Sequence, residues 1–218
     1  KTSNDVLVRV PIPQTGGDQI PPYVNAASIE NKGLELSVIL NNKYREINYS
    51  IGANVSTLKN QVLSLSGGEP ILGGFGLSDG AITKTEVGYP VGSFFLYESM
   101  GIFQSQEEID QAPYQTKDTR PGDIRFRDIN GDNKIDQNDR THAGSPFPKL
   151  TYGCNISVNW KNFDVSTLFQ GVYGNDLYFL YGNFAYETQS RGFNSYDDVK
   201  NYWSPTNTDT DIPKVSLD

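Results

Sequence analysis

The chain has 218 residues, room for one large domain or two small ones, and its 36% hydrophobic and 20% charged residues suit a folded protein. A formal charge of −8 removes nucleic acid from the partner classes, because a phosphate-binding face needs clustered Lys and Arg, and no such cluster occurs. The single cysteine, Cys154, excludes an internal disulfide and a thiolate metal cluster, and no run reaches the roughly 18 apolar residues of a membrane helix.

Glycine punctuation (21 Gly) among aromatic and β-branched runs predicts an all-β chain. The chain opens at Lys1 without an initiator Met and stops at Asp218, as expected of a piece of a longer protein, so a missing targeting segment says nothing about compartment. The first predicted strand is "DVLVRVPIP". Next, Leu34, Leu36, Val38 and Leu40 alternate with Glu35, Ser37 and Ile39, and Ile47, Tyr49, Ile51, Ala53 and Val55 alternate with polar or small residues. The polar link "NNKYRE" between them predicts a β-hairpin. Residues 58–147 read as a long loop with content of its own: a strand-like run "VGSFFLYESMGIFQ", a short helix at "SQEEIDQA" capped by Ser105 with Glu108 three residues on, and an acidic turn. A second hairpin follows, with Leu150, Tyr152, Cys154, Ile156, Val158 and Trp160 in alternation, the tight turn "WKN", then Phe163, Val165, Thr167 and Phe169.

Two environments produce such alternation. In a soluble sandwich the apolar side faces a core; in an outer-membrane barrel it faces lipid while the polar side faces a wet lumen. The runs are about as long as the 9–11 residues that cross a bilayer at a tilt. Their polar faces carry Ser, Asn, Gly and Thr instead of the Lys and Glu of an exposed soluble face. Tyr44, Trp160 and Phe163 lie by the short turns, where an aromatic girdle belongs. The pattern favours the barrel. Short turns at 41–46 and 160–162 would then be periplasmic, and 13–28, 58–147 and 173–218 extracellular. The discriminating residues are Leu34, Leu36, Val38, Ile47, Tyr49, Ile51, Ile156 and Val158: a lipid belt in a transporter, a buried layer in a calcium-stapled glycan-binding sandwich.

In "DINGDNKIDQND" (128–139), counting Asp128 as position 1 puts Asn130 at 3, Asp132 at 5, Lys134 at 7, Asp136 at 9 and Asp139 at 12. This is the spacing of an EF-hand loop, where position 7 offers its carbonyl and the others side-chain oxygens. Hard oxygen donors suit Ca²⁺ in a structural role, with Mg²⁺ the other hard cation. Two departures stand out: Asn133 replaces Gly at position 6, and position 12 is Asp, not Glu. The plain alternative is a solvated Asn-Gly turn. Catalysis has little to draw on. The only histidine, His142, has no nucleophile motif near it, and Glu107 and Glu108 are adjacent on a helix and diverge, so no enzyme is expected. Tyr173, Tyr178, Phe179, Tyr181, Phe184 and Tyr186 are dense enough to stack on sugar rings, to bind a partner, or to pack their own loop.

At "GSFFLYESMGIFQSQEEID", "PGDIRFRDINGDNKIDQNDR" and "GSPFPKLTYGCNISVNWKNFDVSTLFQGVYGNDLY" the chain resembles the SusC/RagA family of TonB-dependent outer-membrane transporters of the Bacteroidetes. "NAASIENKGLELSV" and "YSIGANVSTLKNQVLSL" are similar to the same family, in the same order. The resemblance implies a segment of a 22-stranded antiparallel transmembrane β-barrel with long extracellular loops, spanning 1–218. It also implies uptake of an oligosaccharide or peptide with a SusD-like surface lipoprotein, powered through TonB by an N-terminal region that has no counterpart here.

Overall fold

The computed structural model describes residues 1–9, 23–66, 68–74, 80–180 and 195–215, and these form two compact units. The first comprises Lys1–Gly73, Lys84–Ser93 and Gly144–Leu177; the second comprises Gly74–Thr83, Phe94–Ala143 and Tyr178–Asp218. The chain is all-β, with one six-residue helix and two 3-10 turns among the described residues.

The first unit holds two antiparallel sheets. One is four-stranded and pairs β3 (Glu35–Tyr44), β4 (Ile47–Thr57), β12 (Leu150–Trp160) and β13 (Phe163–Tyr173) in the order β13-β12-β4-β3. The other pairs β1 (Thr2–Arg9), β2 (Tyr23–Lys32) and β5 (Lys59–Leu65) in the order β1-β2-β5. The predicted strand "DVLVRVPIP" begins within β1, and its end lies outside the described residues.

The two sheets share strands that run on from one another. Glu35 pairs with Ser56 at the base of the β3–β4 ladder, and Lys32 pairs with Lys59 at the top of the β2–β5 ladder. The register is the same on both sides, so β2-β3 and β4-β5 form one long hairpin interrupted at Gly33. A Cβ on Gly33 would lie 1.9 Å from the Thr57 carbonyl oxygen, so only glycine lets the strands stay this close where they bend. The hairpin turns are tighter than the sequence suggests. Tyr44 pairs directly with Ile47, and Trp160 with Phe163, so "NNKY" belongs to β3 and only Arg45 and Glu46 turn. Arg45 and Lys161 take positive φ (54° and 53°), as the two-residue turns of right-twisted hairpins require.

Pairing sorts the side chains into rows. On one face lie Leu36–Val55–Tyr152–Gly171, Val38–Ala53–Cys154–Phe169, Leu40–Ile51–Ile156–Thr167, Asn42–Tyr49–Val158–Val165 and Tyr44–Ile47–Trp160–Phe163. No charge occurs among them. The other face carries rows such as Ser37–Asn54–Gly153–Gln170, Asn41–Ser50–Ser157–Ser166 and Lys43–Asn48–Asn159–Asp164. Glycines on the polar face make room for amides: a Cβ on Gly52 would sit 2.2 Å from Asn155 Oδ1. On the apolar face the Tyr152 ring lies against Gly171 and covers the gap its missing side chain leaves.

The smaller sheet has the first unit's core, in which Ala27, Val62 and Leu65 pack with Val6, Ile29, Ile71 and Val91. Buried Asn60 is satisfied on both sides: its Nδ2 donates to Asn31 Oδ1 (2.8 Å) and its Oδ1 accepts from Val91 N (2.8 Å). This sheet is irregular, with register shifts between Ser3 and Val6, Val6 and Leu7, and Ser28 and Ile29, whereas the four-stranded ladder has none.

β6 (Ile71–Gly73) and β7 (Thr83–Thr85) are three-residue strands, and the second unit contains β8 (Ser93–Tyr97, from its second residue) beside β11 (Arg140–Gly144), and β9 (Ser99–Ile102) beside β10 (Ile124–Phe126). The run predicted as one strand breaks at Glu98 into β8 and β9. The predicted helix is α1 (Gln106–Gln111), with Ser105 Oγ accepting from Glu108 N at 3.4 Å. The unit's core is Ile82, Phe103 and Trp203 with Thr119 and Gly122. Trp203 comes from the far end of the chain, and its Nε1 donates to Gln104 Oε1 at 2.8 Å. Gly122 (φ +93°) lies beneath it, where a Cβ would meet Trp203 Cε3 at 2.5 Å.

Candidate functional site

Two features carry chemistry, the large apolar strand face and the acidic loop. On the face, Leu36 is 62% exposed, Val38 55%, Phe169 61% and Phe163 68%, so among the described residues no second sheet covers it. Soluble monomers rarely leave contiguous apolar patches beyond a few hundred Å². Each such side chain gains about 1.5–3 kcal/mol on leaving water completely, so a face of this kind is a strong drive toward an apolar medium. The four-stranded ladder fits that medium. Each interior backbone group of β4 and β12 is paired along an unbroken register, as a segment in hydrocarbon requires, since unpaired N–H and C=O groups find no water there. No described helix is long and apolar enough to cross a membrane. The outer strands β3 and β13 are open edges among the described residues.

The acidic loop winds around its own amides. Asp128 accepts from Gly131 N (2.7 Å) and Asn133 N (2.8 Å), Asn130 Oδ1 from Asp132 N (2.8 Å), and Asp132 Oδ1 from Lys134 N (2.9 Å). Asp136 opens a 3-10 turn, Gln137–Asp139, accepting from Asn138 N (2.9 Å) and from Lys134 Nζ (3.1 Å). Asp139, fully buried, accepts from Ile129 N (2.9 Å) with one oxygen and from Asp136 N (2.8 Å) with the other, clamping both ends of the loop. Asn133 sits at φ +64°, the left-handed conformation that asparagine tolerates where a glycine is usual.

The same contacts set the charges. The Asn138 amide and then the Lys134 ammonium hold the Asp136 carboxyl below its ordinary value. Burial pushes Asp139 up, but amide donors from Asp136, Ile129 and Asn130 outweigh it and leave the carboxyl lowered. The donor set is all oxygen and suits a hard cation. A carboxylate oxygen that accepts one amide keeps a free lone pair, whereas Asp139 Oδ1 accepts from both Ile129 and Asn130. Among the described residues, however, no three His, Cys, Asp or Glu side chains converge as a metal-ligand group.

The predicted aromatic contacts separate. Tyr173 ends β13 in the first unit, while Tyr178 and exposed Phe179 belong to the second, with Tyr178 6.4 Å from the Phe94 ring. Tyr181, Phe184 and Tyr186 lie outside the described residues. Three positions that local pattern does not single out hold the second unit together. Trp203 is one. Tyr114 is another: its N–H donates to Asn133 O (3.0 Å) and its carbonyl accepts from Ile135 N (2.8 Å), stitching the acidic loop to the segment after α1. The third is Arg140, next to Asp139, whose guanidinium donates to the carbonyls of Phe95 and Ala81 and lies over the Phe95 ring at 5.0 Å. Its sequence surroundings, "DQNDRTHAG", are polar and give no signal for this role.

No family model matches the chain. Among known proteins it is similar to the TonB-dependent receptor P26 of Formosa agariphila, 34% identical over 221 residues that include 100% of this chain and 22% of that protein. The TonB-dependent receptor P3 of the same organism is 32% identical over 222 residues (99% of this chain, 22% of that protein). The TonB-dependent receptor SusC of Bacteroides thetaiotaomicron is 25% identical over 189 residues (82% and 17%). The chain therefore spans about a fifth of the length of the curated relatives it matches. Among solved structures, its fold is similar to a chain in the structure of the RagAB peptide transporter, with a TM-score of 0.74 at 23% identity, covering 98% of this chain and 23% of that one.

Proposed function

Over its whole length this chain is homologous to a segment of TonB-dependent receptors of the SusC/RagA kind, and on that footing we propose that it builds barrel wall and surface loops of an outer-membrane nutrient importer. The observation that carries the proposal is the charge-free face of the four-stranded sheet, exposed in water and backed by an unbroken ladder. In the intact protein β3 and β13 pair with further strands of a 22-stranded barrel, the apolar rows face lipid, and the Ser/Asn rows face the lumen. Arg45–Glu46 and Lys161–Asn162 turn on the periplasmic side, and 13–28, 58–147 and 173–218 are extracellular. The relatives are named as receptors and a transporter, which supports transport and not catalysis. The cargo is an oligosaccharide or peptide handed over by a SusD-like lipoprotein, with TonB acting through parts of the protein that this chain does not include. The test is extraction: native full-length protein should stay in the outer-membrane pellet through high salt and alkaline carbonate and leave it only with detergent. Release without detergent would return the apolar face to the interior of a soluble sandwich.

A Ca²⁺ ion in the 128–139 loop is the second part of the proposal. It is supported by the spacing of the oxygen donors and by Asn133 already holding the left-handed turn at position 6. Asp128, Asn130, Asp132, Asp136 and Asp139 would supply side-chain oxygens, and Lys134 its carbonyl. The ion would brace the loop against Tyr114. Chelator should then speed proteolytic cleavage within 112–140 in the wild type, and Asp128→Ala with Asp132→Ala should match the chelated protein while β12 and β13 stay protected. Identical cleavage with and without chelator would leave a solvated turn.

A further inference from the structure

Both short turns place a basic residue at the rim of the apolar face. Arg45 lies over the Tyr44 ring (5.4 Å) and Lys161 over the Trp160 ring (5.7 Å). Tyr44, Trp160 and Phe163 belong to the last apolar row, and Trp160 and Phe163 stack at 6.3 Å with 26° between planes. Arg45 and Lys161 are two of the three non-glycine residues with positive φ among the described residues. Glycine or asparagine takes that conformation more easily, so the turns keep a long cationic side chain where backbone geometry disfavours one. Among the described residues Glu46 pairs with Lys161 at 3.3 Å, both largely exposed, and no carboxylate pairs with Arg45.

We propose that this rim is a binding site for the phosphate of an anionic phospholipid headgroup. The acyl chains would lie along the Trp160–Phe163 end of the face, with the headgroup phosphate against Arg45 and Lys161. This rests on the lipid-facing reading above. Each component has a physical reason. Amphipathic aromatic rings settle at the headgroup level, and stacking on them pre-orients the cations toward the phosphates. With Glu46 offsetting one basic group, the remaining charge gives about a fivefold preference for anionic over zwitterionic lipid, the equivalent of ~1 kcal/mol per basic residue near such a surface.

The full-length protein, reconstituted in phosphatidylcholine vesicles, tests this with brominated phosphatidylglycerol or brominated phosphatidylcholine as quencher. The emission lost in Trp160→Phe isolates the Trp160 signal. Wild type should show the anionic quencher enriched about fivefold at Trp160. Arg45→Gln with Lys161→Gln should abolish that preference, and Arg45→Lys with Lys161→Arg should keep it. A wild type without preference, or a Gln double variant that retains it, overturns the site. Should the Gln variant not assemble, salt gives the second reading on the wild type: the preference should fall as ionic strength rises, and one indifferent to salt counts against it. Quenching of Trp160 by neither lipid would instead remove the lipid-facing reading on which the site depends.

Discussion

On the proposed lipid-facing reading, Ile156→Arg in the full-length protein should destabilise the fold by about 2–4 kcal/mol, the cost of a basic side chain near the bilayer midplane. Ile156 lies in the middle apolar row, beside Ile51 and Thr167. The cost should depend on depth. Phe163→Arg, in the row next to the turn, should cost only about 0–1 kcal/mol. Ser157→Arg follows Ile156 in the chain, but its side chain joins the Ser50–Ser166 row on the opposite face, so it should leave stability almost unchanged. Urea unfolding in vesicles, read by heat-modifiable gel mobility, measures all three. A buried sandwich core would penalise the charge without that gradient, so equal losses at Ile156 and Phe163 would sink the lipid-belt account.

Trp203→Ala should produce the largest effect outside the strand face. Trp203 is 7% exposed, and truncating so large a buried side chain costs about 3–5 kcal/mol. It also leaves Gln104 Oε1 without its indole donor. The loss should be local. Hydrogen exchange in the full-length protein should rise over 195–215 and 101–124 and stay unchanged in β12 and β13, which belong to the other unit. Trp203→Phe keeps most of the packing and gives up the hydrogen bond, worth about 1 kcal/mol. Unchanged protection in both segments of the Ala variant would mean that the indole does not join them.

The two hairpins were legible because each strand alternates with few exceptions (Ile39, Asn42 and Leu168), and alternation fixes which residues share a face whatever the partner. Their turn lengths were not. Asn41, Asn42 and Lys43 look like loop by composition, yet Asn41 and Lys43 occupy the polar face, and the side-chain oxygen of Asn42 accepts from the Lys43 amide at 2.7 Å. A lumen-facing strand is polar on alternate positions, so polarity alone cannot end it. The extension of the hairpin through β5 was hidden for a related reason. Asn60 is polar at a buried position, and what satisfies it comes from Asn31 and Val91, far away in sequence. In the acidic loop, spacing identified the residues that wind it, and Asn133 does take the left-handed turn. Its attachment to Tyr114 runs through backbone atoms, which carry no side-chain signature. The Trp203–Gln104 contact joins residues 99 apart, beyond any local periodicity.

The order in which the strands pair also sets the order of assembly. Each hairpin closes on a two-residue turn, so its ladder can zip from Tyr44–Ile47 or Trp160–Phe163 with little loss of chain entropy. The seam between β4 and β12 is different, because joining Thr57 to Leu150 encloses everything between them in a long loop. The seam is therefore the late step. The hairpins form first as separate ribbons, each with a greasy side, and come together as the intervening chain condenses. Until then two unpaired edges, on β4 and β12, stand open to the wrong neighbour.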